Sequence, residues 1–257
     1  MSSNQNSSPK KEIFDSLVQL LNSKKFNELD EQLKHLINQY PKSYPLFNLQ
    51  GVYLKIIGEF DKAELAFIEA IKINSKISDA YNNLGLLYIE QKKIDKSIDC
   101  FNNAIKINSN NPFLLNNLGN ALAQKNLFNE ALKIFEKALI IDEKFFLAHN
   151  NIGIIKNKLK KYDEAIKSLE KSIKIQENFD DTYINLGITY FDIGKIDLAI
   201  KNYKIALEKN PNSFKAYNNL GNILNSQGFY DDAIKNYQSS IKIKPNFAEA
   251  YNNLGNT

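Results

Sequence analysis

The side chains best suited to covalent or acid–base chemistry are few in this chain: two histidines, His35 and His149, and one cysteine, Cys100. A thiol becomes a strong nucleophile when a neighbouring base or positive charge favours its thiolate, and neither histidine stands near Cys100 in the sequence. Metal-ligand spacings, phosphate-binding glycine loops and nucleophile motifs are missing as well. The expectation is a chain with no catalytic residue, no metal site and no cofactor. What recurs instead is asparagine: Asn82-Asn83, Asn116-Asn117, Asn150-Asn151, Asn218-Asn219 and Asn252-Asn253, with Asn185, Asn120 and Asn222 in related positions. An asparagine amide carries both donors and an acceptor. It can pair with the N–H and the C=O of one peptide unit, so the chemistry on offer is recognition of a polypeptide backbone.

The elements that carry these asparagines follow from the glycines. Gly51, Gly85, Gly119, Gly153, Gly187, Gly221 and Gly255 stand 34 residues apart, and the other three, Gly58, Gly194 and Gly228, each follow one of them by seven. With the first series placed at slot 8, full repeats run 44–77, 78–111, 112–145, 146–179, 180–213 and 214–247, and a seventh begins at Ala248 and stops at Thr257. Slots 4, 7, 8 and 11 make one stripe of a helix; slots 20, 24 and 27 make the stripe of a second. Large residues at slots 4 and 24 (Tyr81, Phe101) fill the space between helices, and Gly or Ala at slots 8, 20 and 27 lets the backbones approach. Asp61, Asp95, Asp163, Asp197, Asp231 and Asn129 are placed to cap the second helix. The slot-15 glycines suit the C-terminal end of the first helix, and Pro211 and Pro245 terminate the second. Helices are therefore expected near 44–57 and 61–74, recurring with the period.

A 34-residue helix–turn–helix unit with an aromatic, Leu-Gly, Ala, an aromatic, Ala and Pro resembles the tetratricopeptide repeat; Tyr217-Asn218-Asn219-Leu220-Gly221-Asn222 lies close to that family's common form. The resemblance covers residues 44–257. It implies an all-α, right-handed superhelical solenoid. Residues 10–43 form a worn repeat in the same phase, with Leu17 and Leu29 where small residues are usual, and should act as an N-terminal cap packed more loosely or at another angle. Residues 1–9 are polar and expected to be a disordered tail. A solenoid end needs a polar outer face, whereas residues 248–257 keep the internal pattern at Tyr251, Leu254 and Gly255. The expectation is a truncated seventh repeat and a longer parent protein.

In such a solenoid the first helices line the concave face, and slots 2, 5, 6, 9, 12 and 13 should point into the groove. Slot 5 carries Asn48, Asn82, Asn116, Asn150, Ile184, Asn218 and Asn252. Slot 6 carries Leu49 and then Asn83, Asn117, Asn151, Asn185, Asn219 and Asn253; slot 9 adds Asn120, Asn222 and Asn256. Two roles are open to the row: a ladder gripping a ligand backbone, or ties between neighbouring repeats. The superhelical region of O-GlcNAc transferases is similar in carrying an asparagine ladder, which in that family holds the peptide substrate. The same slots hold Lys55, Lys158 and Lys215 against Asp79, Glu90, Asp181, Asp192 and Glu249. That balance does not make the basic track of an RNA-binding solenoid, and all 33 basic residues of the chain are lysines set against 29 acidic ones. Leu86, Ile89, Phe113, Leu147, Ile154, Ile188 and Phe191 add apolar surface, which suits a peptide. The basic residues that clamp chaperone tails in some family members are missing.

Hydrophobic residues make up 43% of the chain, and the polar start has no signal-peptide core. No apolar run reaches the length of a membrane span. The expected function is a cytoplasmic scaffold that binds an extended peptide or protein segment, with no nucleic-acid or membrane partner. The alternative is the substrate-recruiting part of a larger enzyme such as an O-GlcNAc-transferase-like glycosyltransferase.

Overall fold

A computed structural model describes residues 8–257, and within them the chain forms fifteen helices and no strand. The expected tail lies outside the described residues except for Ser8 and Pro9; the Ser43 hydroxyl donates to the Ser8 hydroxyl oxygen at 3.0 Å. Two compact units are present, one ending at Ile134 and the other starting at Phe135. The first contains α1 (Lys11–Asn22), α2 (Phe26–Gln39), α3 (Tyr44–Ile56), α4 (Phe60–Ile73), α5 (Ser78–Glu90), α6 (Ile94–Ile107) and α7 (Pro112–Gln124). The division falls inside α8 (Phe128–Ile141). The second contains α9 (Phe146–Lys158), α10 (Tyr162–Ile175), α11 (Asp180–Asp192), α12 (Ile196–Lys209), α13 (Phe214–Ser226), α14 (Tyr230–Ile243) and α15 (Ala248–Gly255).

Within each unit the fold is an all-α helical repeat, one antiparallel hairpin per period. The slot-8 glycine explains the close approach inside a hairpin. A Cβ on Gly51 would lie 2.5 Å from Phe67 Cε1, and one on Gly187 would lie 2.5 Å from Tyr203 Cε1. The slot-24 ring thus lies on bare backbone and is almost wholly buried, as are the small residues Ala63 and Ala199 beside it. Where slot 27 holds serine rather than alanine, the hydroxyl reaches a backbone carbonyl at the start of the preceding helix. Ser172 donates to Phe146 O at 3.0 Å and Ser240 to Phe214 O at 2.8 Å, so neither buried oxygen is left unpaired.

The first helices α1, α3, α5, α7, α9, α11 and α13 end the same way. The slot-15 residue is left-handed: Gly58 has φ +83°, and Lys92, at the same slot one repeat later, has φ +60°. The next N–H then reaches back five residues, from Glu59 to Leu54 O at 2.9 Å and from Lys93 to Tyr88 O at 2.8 Å, which is the Schellman closure of a helix C terminus. Only glycine enters this conformation without strain, yet lysine or asparagine fills it in half the repeats. Pro211 follows the C-cap Asn210 of α12, and Pro245 follows the C-cap Lys244 of α14, as expected of a residue that cannot donate to the helix ladder.

The capping expectation is corrected. Asp61, Asp95, Asp163, Asp197 and Asp231 are the second residues of their helices. The N-cap positions belong to Glu59, Lys93, Lys161, Lys195 and Phe229, whose side chains make no capping bond. Asn129 likewise lies inside α8. The five aspartates act instead through the helix dipole, placing negative charge in a first turn that carries free N–H groups.

Candidate peptide-binding face

The asparagines lie on the first helices, α3 to α7 in one unit and α9 to α15 in the other. The structure joins most of them to each other. Asn83 donates from Nδ2 to Asn48 Oδ1 at 3.1 Å and Asn117 to Asn82 Oδ1 at 2.8 Å. In the second unit Asn185 donates to Asn150 Oδ1 at 3.0 Å, and Asn253 to Asn218 Oδ1 at 3.0 Å and Asn222 Oδ1 at 2.9 Å. A slot-6 amide therefore bonds the slot-5 amide one repeat back. Slot 5 sits at the seam between repeats: Asn116, Asn150 and Asn218 are buried, Asn218 to 1% exposure, while Asn252 on the last helix is exposed. Asn150 also donates to Asn151 Oδ1 at 3.3 Å, and Asn218 to Glu249 Oε1 at 2.9 Å. Slots 6 and 9 stay half-buried at Asn83, Asn117, Asn120, Asn151, Asn185, Asn219, Asn222 and Asn253.

Four of the eight charged residues on this face pair across successive first helices. Lys55 Nζ lies 3.0 Å from Glu90 Oε1, and Lys215 Nζ lies 2.8 Å from Asp181 Oδ1. Exposed pairs of this kind contribute little to stability, but they cancel much of the local field. Asp192 is exposed and has no cation at ion-pair distance among the described residues. Phe113 and Phe191 are 59% and 39% exposed, and Leu86, Ile89, Leu147, Ile154 and Ile188 are half-buried.

The groups considered for catalysis are placed as packing elements. Cys100 is buried, and burial, with Asp99 nearby, pushes its thiol up to about 11. A thiol so far above neutrality stays protonated and unreactive. His149 is half-buried, its Nε2 3.1 Å from Glu143 O; burial holds it below the usual histidine value. Among the described residues no cluster of histidine, cysteine, aspartate and glutamate is arranged to hold a metal ion, and no helix is long and apolar enough to cross a membrane.

One part of the face departs from the tied pattern. Ile184 replaces asparagine at slot 5, and Asn219, its counterpart in the next repeat, has no hydrogen-bond partner among the described residues. Beside it a cleft of about 240 Å³ is lined by Ile188, Phe191, Tyr203, Asn219, Asn222 and Ile223. Tyr203 and Ile223 were not among the residues expected here. The signal for them was the interruption of the asparagine series at Ile184 and Ile188.

Comparisons with known proteins agree with this architecture. The tetratricopeptide-repeat description matches residues 78–111, 112–145 and 146–179, and the related description "TPR repeat" matches residues 189–228 and 221–257. Together these spans cover more than half of the chain, which belongs to the tetratricopeptide-repeat family. No curated protein matches the sequence significantly. Among solved structures, a tetratricopeptide repeat protein from Parabacteroides merdae ATCC 43184 is 19% identical with a TM-score of 0.83, covering 95% of this chain and 97% of its own. A chain of the APC/C hetero-tetramer Cut9-Hcn1 is 17% identical with a TM-score of 0.76 over 93% of this chain. The chain spans about half, 47%, of that protein's length. YrrB, described as a TPR protein with an unusual peptide-binding site, is 20% identical with a TM-score of 0.53, covering 72% of this chain and 95% of its own. At these identities the likeness is one of fold. The family as a whole commonly serves as protein-interaction scaffolds.

Proposed function

We propose that this chain is a protein-interaction scaffold that binds an extended peptide or protein segment along the first-helix face, with the slot-6 and slot-9 asparagines contacting the ligand backbone. The observation that carries this reading is the state of the slot-6 amides. Asn83, Asn117 and Asn185 each use one N–H on the neighbouring repeat. Each keeps its carbonyl oxygen and a second N–H on a half-buried side chain. The tie orients the amide, so a ligand meets donors and acceptors already held in place, and less ordering entropy opposes binding. The slot-5 partners Asn82, Asn150 and Asn218 belong to the set as groups that hold the row, Asn116 is buried in the same slot, and Asn252 stands exposed on the last helix. The paired charges and the half-exposed apolar side chains favour a polypeptide over a polyanion.

Binding isotherms on peptides selected from a random library test this. Asn117→Ala and Asn185→Ala should each weaken the best peptide by about 0.5–1.5 kcal/mol after correction for the folded fraction. Because each also unties two repeats, the melting temperature should fall as well. Lowered melting with unchanged affinity per folded molecule would leave the row as ties alone.

The same ladder supports a second reading, in which these repeats present substrate to a glycosyltransferase domain of a larger protein. Glycosyl transfer onto a peptide held by the full native gene product, and its loss in the same asparagine variants, would distinguish that case.

A further inference from the structure

The interruption at Ile184 leaves two polar groups without protein partners in one cleft. Asn83, Asn117, Asn185 and Asn253 each donate to an asparagine one repeat back; at that slot one repeat before Asn219 stands Ile184, which is 2% exposed and offers no acceptor. In the following repeat the slot-24 hydroxyl is also used, since Tyr237 donates to Asn222 Oδ1 at 2.9 Å. The slot-9 residue of the earlier repeat is Ile188, so Tyr203 finds no such acceptor. Tyr203 is 2% exposed, lines the cleft and has no hydrogen-bond partner among the described residues. Its ring is buried but its hydroxyl is not sealed off, so the O–H opens to the cleft and is free to donate to an incoming acceptor. Burial raises its pKa, so it keeps its proton and can donate.

The walls decide what kind of group fits. Ile188, Phe191 and Ile223 are apolar, Asn219 and Asn222 line the same cleft, and the volume of about 240 Å³ suits one side chain. Asp192, next to Phe191, is exposed and carries no counter-ion. We infer that this cleft is the anchor site for one residue of the bound segment: a side chain with an apolar stem ending in a carbonyl acceptor, glutamine being the type, with a lysine or arginine close by in sequence. The stem lies against Ile188, Phe191 and Ile223, its carbonyl accepts from the Tyr203 hydroxyl, and the free Asn219 amide holds the peptide unit of the same residue. The basic neighbour answers Asp192. The assignment rests on the peptide-binding reading above and adds the identity of its anchor.

The experiment is selection of a displayed random decapeptide library on the whole chain, followed by fluorescence anisotropy with the enriched peptides made synthetically. Enriched sequences should carry glutamine within two residues of lysine or arginine. Tyr203→Phe keeps the ring on Gly187 and removes only the hydroxyl; it should raise Kd about tenfold. The double change Ile184→Asn with Ile188→Asn gives Asn219 and Tyr203 the partners found in the other repeats, and should raise Kd at least tenfold. Phe191→Ala, at an exposed position, should raise it several-fold even if the double variant folds poorly. Peptides that bind Tyr203→Phe and Phe191→Ala as tightly as the parent overturn the anchor assignment and leave the scaffold reading standing. An aliphatic anchor sensitive to Phe191→Ala but not to Tyr203→Phe overturns the polar-tip assignment. Failure of any peptide to bind the parent chain overturns the scaffold reading and the anchor together.

Discussion

The hairpins 10–43 and 44–77 have the same period and the same helix positions, and their interiors are built differently. In the second, Gly51 lies under the Phe67 ring, and Ala63 and Ala70 complete a seam of small residues. In the first, the corresponding positions are Leu17, Leu33, Leu29 and Leu36; the first three are fully buried, and Leu36 is 7% exposed. The α1 and α2 backbones come close to each other at fewer points than those of α3 and α4, in line with the looser or differently angled packing expected from Leu17 and Leu29. One solution brings two backbones together and fills the gap with a ring; the other holds them apart and fills it with four leucines. Both exclude water, so a period is set by the helices and turns, while the inter-helix distance is set by what stands at slots 8, 20, 24 and 27.

This comparison can be broken most directly at its leucines. Leu33→Ala should destabilise the first hairpin by about 2–5 kcal/mol, because the rigid surround cannot close over the space. Since repeats couple mainly to their neighbours, hydrogen exchange should show α1 and α2 opening while α5 and α6 keep their protection. Uniform loss across the chain would mean that the hairpins are not separable units. A smaller effect is expected at the glycine. Gly51→Ala places a methyl 2.5 Å from the Phe67 ring, and overpacking of that kind is unfavourable by about 1–3 kcal/mol. Chemical denaturation measures it, and a neutral result would show that the ring is free to move.

The smallest expected change sharpens what the two hairpins share. Their first helices end in left-handed residues, Lys24 with φ +57° and Gly58 with φ +83°. Gly58→Ala should be unfavourable by about 1 kcal/mol. Lys24→Gly should stabilise by less than that, because glycine also gains freedom in the unfolded chain. Equal and opposite shifts in thermal melting would contradict the unfolded-state part of this argument.

Some of the candidate face was legible in the sequence. The helices fall within a residue of where the glycine and aromatic spacing puts them. The role of slot 5 was not legible. It lies at the edge of the apolar stripe, and a helix in a stacked array touches its own partner and both neighbouring repeats, so the buried arc is wider than one stripe. The aspartates were misplaced by two residues, because Asp in the first turn and Asp at the N-cap are both favoured near a helix start and composition alone does not separate them.

The 34-residue recurrence of glycine, small and aromatic residues determined by itself that this chain forms repeated helical hairpins, because only one periodic structure buries such a pattern. Only the tertiary structure decided which asparagines hold each other and which are left over. Hydrogen-bond partners 35 residues apart, such as Asn185 and Asn150, are chosen by the stacking of one hairpin on the next. The consequence of a single isoleucine at position 184 appears one repeat later, at Asn219, where a sequence pattern has no means of showing that a partner has been lost.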